Sequence, residues 1–369
     1  MRDVKNKSLL QRIAREAGVS VMTVSRVVSG RMAKYRAARE RAKRVLEVAA
    51  RYNYRPSAAA RTVATGRFHA ASLLLPGGRD QQTVLFAGLL DGIHDRLAEA
   101  DYHLNVARLP DEAALVQTNI LPKALRETLS DGFLVNYARD LPEAAAESVR
   151  RLRVPLVWIN FGHKVDCVDL NDFGGGRMAT EFLLDAGHRR ILYLHHLPST
   201  HYSATERAEG YAAAMRAAGL KPIVWREDAW HPVDLVEARY VKLLRSSRRP
   251  TAVISYSRQT TLVVLAAVAA VGLRVPEELA VIQFGEEDYV LPGFHAVTVR
   301  LPWNELGRVA AAMLLEMIEK PGRRFPRRRV PMLLLEADKL ALMNGPPPPG
   351  RLGPCFGMGT GGARRRGRD

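Results

Sequence analysis

The chain has 369 residues, of which 47% are hydrophobic and 25% are charged, a composition typical of a globular protein with two or three domains. Two cysteines exclude a disulfide framework, and the longest apolar run is about half the length of a membrane span. The charged N-terminus lacks the apolar core of a signal peptide. We therefore expect a cytoplasmic protein that has no membrane partner.

The net charge of +17 is unevenly distributed along the chain. Residues 1–66 contain 16 Lys and Arg against 4 Asp and Glu, and residues 346–369 contain 5 against 1, so that the body is nearly neutral. A basic head is typical of nucleic-acid binding, because cations near phosphates release condensed counterions. Charge alone leaves two alternatives open, a solvated basic arm and contact with a membrane surface.

The head has the pattern of short helices. Ser8 and Gln11 form a capping-box pattern that predicts the start of one helix, and Gly18 is expected to end it. Ser20 is a favourable cap for a second helix. Three valines at helical spacing predict its buried stripe: Val24, Val27 and Val28.

Two short helices joined by a glycine-containing turn are typical of a helix-turn-helix, whose second helix enters the major groove of DNA. On that helix Arg26 is the long hydrogen-bond donor outside the buried stripe, and it is expected to bind guanine or a phosphate. Thr23 and Ser25 are candidates for phosphate contacts. Val21 and Met22 are expected to contact a thymine methyl group or to fill the groove.

The body alternates apolar runs with amphipathic segments, which predicts parallel sheets covered by helices on both faces. The number of strands suggests two such lobes. Predicted strands are 71–75, 132–136, 156–160, 191–194, 252–255 and 280–284, and predicted helices are 86–100, 175–186, 206–218 and 261–271. The Pro-, Gly- and Arg-rich residues from 345 onward are expected to be disordered.

Residues 13–30 resemble the DNA-binding signature of the lactose-repressor (LacI/GalR) family, and residues 54–61 resemble that family's hinge. Further motifs occur in the family's order at residues 44–46, 154–157, 171–174, 187–191, 207–211, 272–276 and 303–307. The resemblance extends over about residues 8–335.

This resemblance implies an α/β protein with an all-α helix-turn-helix head and two Rossmann-like lobes of the periplasmic-binding-protein type. The implied domains are a DNA-binding head (1–56), a hinge helix and linker (57–69), an effector-binding and dimerisation body (70–345) and a tail (346–369). The implied partner is a pseudo-palindromic operator in double-stranded DNA, bound by a homodimer or a higher oligomer.

In the family, a hinge leucine wedges into the minor groove of the operator. Val63 stands at that position and is shorter, so that we expect a shallower wedge; a dimer-packing role is the alternative. The predicted DNA-binding residues are Ser20, Val21, Met22, Thr23, Ser25, Arg26, Ser29, Tyr54, Arg55, Ala59, Arg61 and Val63.

Arg207 matches a family arginine that holds effector hydroxyls or carboxylates, with a surface helix cap as the alternative. Arg258 replaces an acidic residue, and Gly285 stands where the family often has a carboxylate, with Glu286 adjacent. These changes favour a sugar acid or phosphosugar over a neutral sugar, unless effector binding has been lost. The predicted effector-binding residues are Phe86, Asn160, Phe161, Arg207, Arg258 and Glu286, although core packing is the alternative for the aromatic ones.

No motif predicts an enzyme, a cofactor or a metal site. His195, His196 and His201 are weak candidates for metal ligands without nearby cysteines. The arginines at 327–329 are expected to form a solvated face. We therefore predict a transcriptional regulator that represses a metabolic operon. The alternative is a sugar-binding or sugar-processing α/β protein, which would need the signal peptide or the catalytic pair that the sequence does not offer.

Overall fold

A computed structural model describes residues 2–28, 36–56, 58–75, 85–108, 129–136, 154–195, 201–227, 229–286, 290–291 and 294–334. The chain divides into two compact units. Unit 1 comprises residues 1–175, 199–207 and 301–333, and unit 2 comprises residues 176–198, 208–300 and 334–369. Ser29, His196 and the tail whose disorder the sequence predicts lie outside the described residues.

The head begins with three helices, α1 (Arg2–Ala17), α2 (Val21–Val28) and α3 (Arg36–Arg51). Ser20 caps α2, since its Oγ accepts a hydrogen bond from Thr23 N at 3.1 Å. The predicted second helix is therefore confirmed. The predicted start of the first helix at Ser8 is wrong, because α1 is already helical from Arg2; a serine is tolerated inside a helix at small cost, so that a capping pattern does not by itself start one.

The three helices enclose one small apolar core. Its buried residues come from all three helices: Ile13, Ala14, Ala17, Val24, Val27, Ala42, Val45, Val48 and Ala49. Val28 packs against the margin of this core. A fourth helix, α4 (Ala58–Thr65), lies in the predicted hinge and ends at Gly66, whose φ of 68° is in the left-handed region.

Helices and strands then alternate along the body. The helices are α5 (Ala87–Ala98), α6 (Asp172–Asp185), α7 (Tyr202–Ala217), α8 (Val233–Arg245), α9 (Arg258–Val271) and α10 (Trp303–Glu319). The strands are β1 (Ala70–Leu75), β2 (His103–Arg108), β3 (Gly132–Asn136), β4 (Leu156–Ile159), β5 (Cys167–Leu170), β6 (Ile191–His195), β7 (Val224–Arg226), β8 (Ala252–Ser255), β9 (Ala280–Gly285), β10 (Val290–Leu291), β11 (Phe294–His295), β12 (Val297–Arg300), β13 (Arg328–Val330) and β14 (Leu333–Leu334).

Twelve of these strands form two six-stranded sheets, and β10 and β11 form a separate antiparallel pair. The first sheet has the order β13-β5-β4-β3-β1-β2 and is parallel throughout. The second has the order β14-β12-β9-β8-β6-β7 and is parallel from β12 to β7. Both orders are those of doubly wound α/β folds, in which ligands bind outside the carboxyl ends of the strands. The predicted fold class is confirmed.

Among the helices of the described ranges, none is both long and apolar enough to cross a membrane.

Two glycines allow α5 and α10 to approach closely in unit 1. A Cβ atom on Gly92 would overlap the backbone carbonyl of Asn304, and a Cβ on Gly307 would lie 2.9 Å from Ile93 N. Neither neighbour is the free end of a side chain, so that a methyl group at either position would push the helix backbones apart.

We expect Gly92→Ala to lower the free energy of unfolding by about 1–3 kcal/mol, because the added methyl group overpacks this crossing. Gly88→Ala is the matched control on the same helix, since its Cβ would make ordinary contacts of 3.4 Å. Thermal unfolding of both variants measures the difference. Equal midpoints for the two variants would contradict the predicted close crossing.

Candidate DNA-binding and effector sites

The exposed face of α2 carries the residues predicted to read DNA. Val21 is 41% and Met22 64% exposed, and Ser25 and Arg26 are also exposed. Thr23 is half-buried and its hydroxyl is 2.9 Å from Ser20 Oγ, so that it belongs to the helix cap. The helix therefore presents two apolar side chains, a hydroxyl and a guanidinium on one protruding surface.

The other predicted DNA-binding residues have different surroundings. Tyr54 packs against the head core, and burial raises the pKa of its hydroxyl. Arg55 is exposed, whereas Arg61 is half-buried with its guanidinium 3.9 Å from Asp101 in unit 1. Val63 is 89% exposed on α4, which leaves an apolar side chain available to a partner. Ala59 lies in the same helix.

In unit 1, Asn160 follows the carboxyl end of β4 in a left-handed conformation with φ of 55°. Its side-chain oxygen accepts a hydrogen bond from the Tyr202 hydroxyl at 2.9 Å. Its backbone carbonyl lies 2.9 Å from His201 Nε2. Burial lowers the pKa of His201, so the ring is neutral near pH 7; Nε2 then donates to this carbonyl, and Nδ1 accepts from Ser203 Oγ at 2.7 Å.

Arg207 forms a buried ion pair. Its Nε donates to Asp172 Oδ1 at 2.6 Å, and both side chains are almost completely buried. The interpretation of Arg207 as a surface cap is therefore wrong. Asp172 Oδ2 is buried without a hydrogen-bond partner in the described part of the chain, so that the pair retains an acceptor for a ligand.

A second buried carboxylate organises the neighbouring loop. Asp169 Oδ1 accepts from Phe161 N at 2.8 Å, and Oδ2 accepts from Arg327 Nε at 2.5 Å. Arg327 also donates to Glu206 at 3.2 Å, and Arg329 to the same carboxylate at 2.9 Å. The prediction of a solvated face at 327–329 is wrong for Arg327, which is paired with the buried Asp169, whereas Arg329 is exposed as predicted.

The buried charged cluster consists of residues from four different segments: Asp169, Asp172, Glu206, Arg207 and Arg327. Within the described ranges, Glu206 Oε2 and Arg327 Nη2 also lack hydrogen-bond partners although they are buried. Sequence reasoning missed Asp169, Glu206 and Arg327; Glu206 precedes Arg207 in the sequence, but only the tertiary fold brings Arg327 to Asp169 and Glu206. Donors and acceptors without protein partners are the groups that hydroxyls of a ligand could satisfy.

Aromatic pairs accompany the cluster in unit 1. Phe86, which immediately precedes α5, stacks on Trp303 with ring centroids 3.9 Å apart. Phe161 stacks on Trp158 at 4.7 Å. Phe161 is tied to the charged cluster through Asp169, whereas Phe86 is fixed by its stack on α10.

Unit 2 contains the two remaining predicted effector residues. Arg258 is exposed in the first turn of α9, which Ser257 caps, and Glu286 is half-buried directly after β9. Both follow the carboxyl ends of strands in the second sheet. His195 lies in unit 2 and His201 in unit 1; among the described residues, no group of three His, Cys, Asp or Glu side chains could hold a metal ion.

Known proteins share these features. Residues 9–57 match the lacI family of bacterial regulatory proteins, and residues 180–336 match the periplasmic binding protein-like domain. The ribose operon repressor of Escherichia coli strain K12 is 29% identical over 333 residues, which cover 88% of this chain and 97% of that protein. The chain therefore combines a lacI-family DNA-binding domain with a periplasmic binding protein-like domain.

Two solved structures have the same fold. The complex of the transcriptional regulator CelR with cellobiose is 26% identical, with a TM-score of 0.59 and coverage of 88% of this chain and 98% of that one. A lac repressor dimer bound to operator and the anti-inducer ONPF is 21% identical, with a TM-score of 0.65 and coverage of 88% and 96%. Its lacI-family DNA-binding domain identifies this chain as a DNA-binding transcriptional regulator, and members of that family are regulators rather than enzymes.

We expect Asp172→Ala to lower the free energy of unfolding by about 3–5 kcal/mol, because it removes the carboxylate from a buried ion pair. Glu181→Ala on the same helix is the control; it removes an exposed pair with Arg177 and should change stability by less than ~0.5 kcal/mol. Chemical denaturation compares the two variants. Similar small losses for both would show that the buried pair is not a stabilising contact.

Proposed function

We propose that this lacI-family regulator is a repressor that binds a pseudo-palindromic operator as a homodimer, with α2 of each copy in a major groove. The observation that carries the proposal is the capped helix α2, in which Val24 and Val27 are buried while Val21, Met22 and Arg26 are exposed. The solved lac repressor dimer on operator DNA supports the same arrangement. A gene regulator of this kind acts on the chromosome, which supports a cytoplasmic location.

Exposed apolar side chains support self-association. Within residues 223–235 of unit 2, five large apolar side chains are more than 40% exposed: Ile223, Val224, Trp230, Val233 and Leu235. Large exposed apolar patches are rare on monomeric proteins and often mark interaction surfaces. A twofold dimer would cover them and would present two copies of α2 to matched half-sites.

We propose that the effector is a small polyhydroxylated molecule held by the buried charged cluster. The free oxygen of Asp172 and the free nitrogen of Arg327 offer an acceptor and a donor to sugar hydroxyls. The ribose operon repressor and the cellobiose complex of CelR support a sugar. In unit 2, the exposed Arg258 lies at the positive end of α9, which by itself favours an anionic ligand such as a sugar acid or phosphosugar.

Effector binding would act on DNA affinity by favouring one of two conformations of the chain. The coupling between the two sites is expected to be of order 1–3 kcal/mol, or about 5–150-fold in operator affinity. Only contacts that differ between the two conformations contribute to it.

The operator prediction is tested first by selecting bound DNA from a random pool at stated salt; the recovered sites should have dyad symmetry. On the selected site, Arg26→Ala should weaken binding by about 1–3 kcal/mol and relax the base preference at one position per half-site. The reason is the loss of the long donor on the exposed face of α2.

Arg216→Ala is the control, because it removes the same charge from unit 2 and should leave sequence preference unchanged. Unchanged discrimination in Arg26→Ala would exclude this residue from base reading. Recovered sites without dyad symmetry would contradict the proposed dimer.

The effector prediction compares ribose, gluconate and ribose 5-phosphate as probes of operator release and of thermal stability. Arg207→Ala should abolish the response to every active probe, since it disrupts the buried cluster. Arg258→Ala should reduce only the response to the anionic probes. A response that survives in Arg207→Ala would place the ligand elsewhere.

A further inference from the structure

The chain between α4 and β1 is held by hydrogen bonds at every step. Residues 65–69 form this segment, here called the joint. Thr65 Oγ1 donates to Arg61 O at 2.9 Å inside α4 and accepts from Arg67 N at 3.3 Å. These two hydrogen bonds connect the joint to the last turn of α4.

One carboxylate of unit 1 binds the other end of the joint. Phe68 N donates to Asp131 Oδ1 at 2.8 Å, and His69 N donates to Asp131 Oδ2 at 2.9 Å. Asp131 precedes β3, and its own backbone N donates to Ala70 O at 2.8 Å. Hydrogen bonds to a charged acceptor are about twice as strong as neutral ones, and two of them to consecutive N–H groups define a direction.

Two further features indicate that neighbouring groups determine the conformation of the joint. His69 has φ of 52°, a strained conformation for a residue other than glycine, which persists only when neighbouring groups hold it. The Arg61 guanidinium on α4 lies 3.9 Å from the Asp101 carboxylate, beside β2. Asp131 thus holds the joint, and Asp101 lies beside α4 itself.

We propose that Asp131 is the positioning residue that fixes the direction of α4 against the first sheet, and that it thereby sets the spacing of operator half-sites that two copies of the chain can bind. The inference rests on the proposed operator binding. Asp131 accepts hydrogen bonds from the joint, and its charge adds to the burial that raises the pKa of the Tyr102 hydroxyl; its effect on DNA would be exerted through α4.

The substitution Asp131→Asn tests whether Asp131 fixes the direction of α4, with little change in the shape of the side chain. An asparagine has nearly the same shape but only one acceptor oxygen, so that its amide group would face one of the two backbone N–H donors. Ser130→Ala is the matched control; Ser130 is buried in the same turn and bonded to Ser72 of β1, but it does not touch the joint.

The experiment measures operator affinity of the full chain on the selected site and on the same site with one base pair inserted between the half-sites. The insertion moves one half-site by about 3.4 Å and ~35°. The unchanged chain and Ser130→Ala should lose at least ~10-fold in affinity, equivalent to ~1.4 kcal/mol. Asp131→Asn should lose less than ~3-fold, with unchanged base preference within each half-site.

An equal spacing penalty in Asp131→Asn and in the unchanged chain would overturn the inference. Absence of dyad-symmetric binding by the unchanged chain would instead overturn the proposed function.

If Asp131→Asn does not fold, one glycine inserted between Gly66 and Arg67 breaks the same joint and should give the same tolerance of the inserted base pair. In the unchanged chain, the Phe68 and His69 amides should exchange with solvent at least ~100-fold more slowly than free amides; rapid exchange would also overturn it.

Discussion

The burial of Val24 and Val27 against α1 and α3 is the contact on which the proposed DNA recognition through α2 depends. A helix of eight residues is too short to persist in water by itself, so α2 exists because its valine stripe packs and because Ser20 satisfies its first turn. The same packing decides which side chains face outward. The packing of this small apolar core therefore determines which side chains of α2 are exposed.

In the body, the parallel sheets determine where polar side chains gather. Parallel strands bring their carboxyl ends to the same edge of a sheet, and the side chains of the loops at that edge are available to bind a ligand. Asn160 and Asp172 reach this edge from neighbouring strands, and Arg207 meets them from a helix. Burying several charges together requires that each finds a partner, and the atoms without partners among the described residues are those to which we propose that a polar ligand binds.

Sequence patterns predicted the parts of this structure that depend on local chemistry. Strands β3 and β8 were predicted with their observed bounds, because both faces are buried and the residues form continuous apolar runs. The edge strands β2 and β7 were missed, since their exposed side chains break that run. Arg207 was predicted from its motif, but Arg327 was not. A run of arginines is typical of an exposed surface, and only a contact across 158 residues of sequence brings Arg327 to Asp169.

The exposure of Val63 has a thermodynamic consequence. In the single chain this side chain is hydrated on a helix of only eight residues, and almost none of its apolar surface is removed from water. Whatever surface covers it, whether a base step or the second copy of the chain, releases that hydration water. Because burial of apolar area lowers heat capacity, docking of this helix would leave a calorimetric signature, a binding enthalpy that becomes more negative as temperature rises.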